Sequence, residues 1–137
     1  MKKITLFALA LTVTVVTSLP AHAAKVIVNG VDAGSVNAEV VKNVFLGKAT
    51  KIGDTKVSFA ILASGPTHEA FLDDVVGKSP SQFLSYWRKL AFSGKGSMPE
   101  EFGSEDALVA FVKSTPGAIA YIGDGTATDG VTVVALD

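Results

Sequence analysis

Apolar positions along the chain change period several times, and each change marks an element. Lys25 to Asn29 is a β-branched run ended by Gly30, the pattern of a buried strand. Val36, Val40, Val41, Val44 and Phe45 recur at helical spacing, and Gly47 stops that helix. Lys56 to Ala63 reads as a second strand, after which Ser64-Gly65-Pro66 opens a helix with Phe71, Leu72, Val75 and Val76 on its apolar stripe. Ser79, Pro80 and Gln82 then form a capping-box signature with proline at the first helical position. The helix it starts buries Phe83, Tyr86, Trp87, Leu90 and Ala91, and a loop from Gly94 to Phe102 follows. Ser104 caps the next helix, whose first turn holds Glu105 and Asp106, the favourable sign for a helix start. Leu108, Phe111 and Val112 line it, Thr115-Pro116-Gly117 ends it, and Ala118–Ile122 and Val131–Leu136 complete the strands.

Alternation of strand and helix predicts an α/β domain with a mostly parallel sheet flanked by helices. The connection from Gly123 to Gly130 is short for a parallel crossover, so the last two strands are expected to form a C-terminal antiparallel hairpin. No linker, repeat or low-complexity tract interrupts the pattern, which predicts one domain over residues 24–137.

The segment before it reads as an address. Lys2 and Lys3 precede an apolar run from Ile4 to Leu19, and Ala21-His22-Ala23 supplies a small-x-small cleavage site. This predicts a secretory signal peptide over residues 1–23, with the run shorter than a bilayer span requires. The expected product is an exported chain starting at Ala24, and the form of the leader looks bacterial, which places it in the periplasm. No cysteine stands beside the cleavage site to carry a lipid.

Composition narrows the chemistry. The 137 residues are 48% hydrophobic and 18% charged, with no cysteine and a formal net charge of −1. Disulfide scaffolds, thiol chemistry and cysteine-ligated zinc are excluded, and there is no cationic footprint for nucleic acid. His68 is the one histidine after the leader, and no Gly-x-Ser-x-Gly elbow frames any serine, so no nucleophile–base pair can be named. At the first turn of its helix, His68 reads as a solvent-exposed polar residue. Asp73-Asp74 and Glu100-Glu101 are adjacent pairs whose side chains diverge, as on a solvated surface. Gly47-Lys48-Ala49-Thr50 lacks the upstream glycine and following helix of a phosphate loop, and Asp124 to Gly130 lacks the distal glutamate of a calcium loop. The remaining constellation is Ser64-Gly65-Pro66-Thr67-His68. It follows a buried strand and opens a helix, so amides at Thr67, His68 and Glu69 with the Ser64 and Thr67 hydroxyls would offer an oxyanion site. Simple capping by Ser64 or Thr67 is the competing explanation.

Several motifs carry a family likeness. Val44-Phe45-Leu46-Gly47-Lys48 resembles a helix end found in phosphate-binding proteins of ABC transporters. Ser64-Gly65 and Thr67 fall where that family has its serine-glycine-threonine phosphate loop. Thr115 to Tyr121 resembles its strand entry, with Ala120 in place of a glycine, and Phe83 to Lys95 is similar to a short, single-lobe subfamily. The resemblance implies a single periplasmic-binding-protein-like lobe. It further implies that Ser64, Gly65, Thr67 and His68 bind phosphate or a similar small oxyanion. Full receptors close two lobes on the anion and have an arginine before the loop, whereas Phe59 to Ala63 is apolar here and Pro66 removes an amide donor. Two functions follow: a solute-binding module working with an ABC transporter permease, or a non-transport module that binds another periplasmic protein or acts as a sensor. A homodimer pairing two such faces would rebuild the missing half of the cleft.

Overall fold

The computed structural model describes residues 24–136. The expected signal peptide lies outside the described residues. Strand β1 (Lys25–Val28) leads through a short helical turn to α1 (Ala38–Phe45), where the Asn37 side chain accepts the Val40 N–H at 2.9 Å. A two-residue pair, β2 (Lys51–Ile52) and β3 (Thr55–Lys56), precedes β4 (Ser58–Leu62). Helix α2 (Pro66–Phe71) runs on into a wider turn over Leu72–Val76, and α3 (Pro80–Phe92) starts at the complete capping box of Ser79 and Gln82. Strand β5 (Glu100–Phe102), α4 (Glu105–Ser114), β6 (Ala118–Ile122) and β7 (Thr132–Val134) finish the chain.

The main sheet has the order β5-β4-β6-β1-β7. Strand β4 pairs parallel with β5 and β6, while β1 pairs antiparallel with both β6 and β7. Only β1 therefore runs against the other four, and the sheet is mostly parallel as expected. The C-terminal hairpin is a correction: β1 separates β6 from β7, which run the same way. Both strands are short, so residues 123–131 need only return a few residues and cross two strand spacings of roughly 4.8 Å each. Two further corrections are local. The strand expected over Lys56 to Ala63 is divided at Val57 between β3 and β4, and the expected loop from Gly94 to Phe102 ends in β5.

Every residue of β6 is buried, as suits a strand covered on both faces. One face is aromatic: Phe45 lies 4.8 Å from both Phe59 and Phe71 between ring centres, and Phe71 stacks on Tyr121 at 4.0 Å. Trp87 joins this cluster at 5.4 Å from Phe59. Its indole N–H donates to the Phe45 carbonyl at 3.0 Å and the Tyr86 hydroxyl to the Leu46 carbonyl at 2.6 Å. Two carbonyls that α1 leaves open at its end are thus satisfied by α3. Asn29 does the same for α4, donating to the Val112 carbonyl at 2.8 Å. Gly117 enters β6 with φ +81, and a side chain there would meet the Lys56 carbonyl oxygen at 2.4 Å, so only glycine fits.

Candidate functional site

The three parallel strands deliver their carboxyl ends to one edge, where open α/β sheets place ligands. Strand β4 leads to Ser64, Gly65 and Thr67, β5 leads through Ser104 to Glu105, and β6 leads to Gly123. The ends are tied together by the Ala63 N–H donating to the Phe102 carbonyl at 2.9 Å. Ser64 is exposed, and Gly65 caps α2 with φ +112 and no side-chain hydrogen bond. Capping of this helix by Ser64 or Thr67 is therefore not what the chain uses. Thr67 and His68 lie in the first turn, where N–H groups have no earlier turn of helix to bond. The Glu69 N–H, expected to be free, instead donates to the Gly65 carbonyl at 3.0 Å.

An internal anion sits at this edge. One carboxylate oxygen of Glu105 accepts the Gly123 N–H and, at 3.0 Å, the Thr126 hydroxyl. The other accepts the Thr67 hydroxyl at 3.4 Å. Ser104 supports the arrangement by accepting the Ala107 N–H at 3.1 Å, which fixes the start of α4 and so the base of Glu105. Three donors from two segments, α2 and the loop after β6, thus turn toward one carboxylate.

His68 differs from its expectation as an exposed residue: it is only 4% exposed. Its Nδ1 is hydrogen-bonded to the Tyr121 hydroxyl, which also accepts the Leu62 N–H at 2.9 Å. Burial lowers the His68 pKa, and the negative charges of Glu101 and Glu69 oppose that shift. Burial raises the Tyr121 pKa, with the Leu62 N–H opposing and Glu101 adding to the rise. With the Leu62 N–H donating to its oxygen, the Tyr121 hydroxyl keeps its own proton for Nδ1 of a neutral imidazole. The trio pins α2 to β4 and β6 and so sets where the loop from Ser64 to Thr67 stands. His68 also lines a cavity of about 160 Å³ with Ser81 and Glu101.

The structure places Ser64, Gly65, Thr67 and His68 at the carboxyl end of β4, as their position after a buried strand suggests, but buries the His68 ring, expected in solvent. Sequence reasoning missed Glu105, Gly123 and Thr126 as partners of Thr67. Glu105 carried only the signal of an acid in a first helical turn, which its hydrogen bonds across the edge do not resemble.

No protein-family pattern matches the chain, and no curated protein does. Solved structures do match its fold. An ABC-type phosphate transport receptor from Vibrio cholerae superposes with a TM-score of 0.62 at 16% identity, covering 84% of this chain and 46% of that one. PstS from Borrelia burgdorferi gives 0.62 at 15% identity, covering 85% and 47%. A Clostridium perfringens protein crystallised with bound phosphate gives 0.60 at 20% identity, covering 85% and 45%. The chain has the fold seen in such receptors and spans less than half of their length. The likeness bears on fold and agrees with a single-lobe form.

Proposed function

We propose that the chain is a single-lobe solute-binding module that takes phosphate or a similar small oxyanion at Ser64, Gly65, Thr67 and the His68 N–H. The observation that carries this reading is the convergence of Thr67, Gly123 and Thr126 on the Glu105 carboxylate. These donors, Thr67 of the proposed loop among them, are already oriented toward a carboxylate, so an oxyanion that displaces Glu105 meets hydrogen-bond donors in place. The Clostridium perfringens neighbour with bound phosphate supports the same ligand class. In this reading residues 1–23 are a signal peptide, residues 24–137 act in the periplasm, and an ABC transporter permease or another periplasmic protein is the partner. A second copy would cover the open edge as a homodimer. With one lobe and no guanidinium beside the loop, affinity is expected in the roughly micromolar to millimolar range.

Calorimetric titration with phosphate tests the assignment. Heat of binding in the wild type that is lost in the Ser64→Ala, Thr67→Ala variant supports it, and unchanged binding in that variant places the site elsewhere. The second reading, a non-transport module for a protein partner or a sensor, is favoured by Phe92 being 97% exposed. A wild type that takes up no phosphate decides for that reading.

A further inference from the structure

The opposite end of β4 carries a second recess, independent of the oxyanion edge. It measures about 450 Å³ and is walled by Phe59, Tyr86, Trp87 and Leu90, with Lys48 and Lys95 also lining it. That volume falls within the range of roughly 300–1,000 Å³ found for small-molecule sites, which combine apolar walls with a few polar groups. We infer that this cavity binds a small organic anion with an apolar body, such as an aryl or alkyl carboxylate.

Two Gly–Lys pairs build the recess. Gly47 has φ +71, and a side chain there would stand 2.8 Å from Trp87 Cη2. Gly96 would bring one to 3.1 Å from Trp87 Cζ3. Both loops therefore lay bare backbone against the indole, and each puts a lysine next to its glycine, Lys48 after Gly47 and Lys95 before Gly96. Both lysines are exposed and neither forms an ion pair among the described residues. Among the described residues no Asp or Glu lines the cavity, and Gly77 to Pro99 holds Lys78, Arg88, Lys89 and Lys95 without a single acid. Apolar walls would hold the body of the ligand by desolvation, while the ammonium groups choose its anionic head.

Trp87 is the one tryptophan of the chain, so its emission reports on the cavity without labelling. The purified protein is titrated with 4-phenylbutyrate and, separately, with the neutral 4-phenylbutyramide. The expected result is a saturable change in Trp87 emission with the carboxylate and a weaker one with the amide. In the Lys48→Gln, Lys95→Gln variant the carboxylate should lose about tenfold in affinity and the amide less than about twofold. Both lysines are exposed, so this variant keeps the fold, and its melting temperature checks that. Ala49→Phe, which fills the recess, should remove both responses. No saturable response to roughly 10 mM of either probe overturns the inference, as does equal affinity for acid and amide. Emission that depends on protein concentration without probe also overturns it and assigns the face to a second copy. Phosphate at saturating concentration should leave the carboxylate titration unchanged, and competition would overturn the independence of this site from the oxyanion edge.

Discussion

At the carboxyl end of β4, hydroxyl and amide donors converge on the carboxylate of Glu105; at the amino end, Lys48 and Lys95 line an apolar recess that contains no carboxylate. The first edge holds an anion of the chain's own, and an incoming oxyanion has to compete with it. The second offers positive charge beside half-buried apolar wall, with no group among the described residues to displace. Both ends owe their shape to the same strand, yet one is set by hydrogen bonds and the other by aromatic packing. Affinity at the first is therefore governed by removing a competitor, and at the second by adding an occupant.

Trp87 gives the largest expected effect because its ring is both core and cavity wall. Trp87→Ala should destabilise the fold by about 3–5 kcal/mol, read as a large drop in melting temperature. The loss includes the hydrogen bond to the Phe45 carbonyl as well as contacts with Phe59. An unchanged melting temperature would show that the amino end of β4 is not held by aromatic packing.

Glu105→Gln sharpens the comparison from the other side. It keeps an acceptor for Gly123 and Thr126, turns an amide N–H toward the Thr67 hydroxyl, which can accept it, and removes the charge that repels phosphate. Phosphate affinity should rise about tenfold, equivalent to about 1.4 kcal/mol. A fall in affinity would mean that Glu105 assists the ligand rather than competing with it.

The smallest expected effect is in pH dependence. Burial lowers the His68 pKa below its ordinary 6.5, so the unfolded chain takes up the proton first as pH falls. The stability tied to the neutral ring is present in full above 6.5 and declines between 6.5 and the lowered native value. Denaturant midpoints measured across that window should slope less in His68→Gln than in the wild type. Parallel slopes would remove His68 from the acid sensitivity of this end of β4.

Local signals in the sequence were reliable where one residue acts on its neighbours. Ser79 and Gln82 exchange both hydrogen bonds of their box, and Ser104 caps α4 as its position suggests. The motif around Ser64 to Thr67 does follow a strand and open a helix, and the chain's likeness to phosphate receptors anticipated the fold. What the sequence concealed is long-range. Residues 123–131 look like a hairpin connection because nothing local announces that β1 occupies the place between β6 and β7. Glu100 to Phe102 is too polar to read as a strand, and becomes one because β4 offers it an edge. His68 looks exposed until Tyr121, far along the chain, supplies a buried partner.

The insertion of β1 between the last two strands sets an order of events. Val26 faces Tyr121 on one side and Val134 on the other, so the first strand made is the last to find its neighbours. The parallel trio β5-β4-β6 can associate earlier, since its members follow one another more closely. Such distant pairing slows folding, and β1 keeps both hydrogen-bonding edges open until β6 pairs and one open until β7 does. Lys25 at its start is the kind of charge that discourages a waiting strand from pairing with another chain.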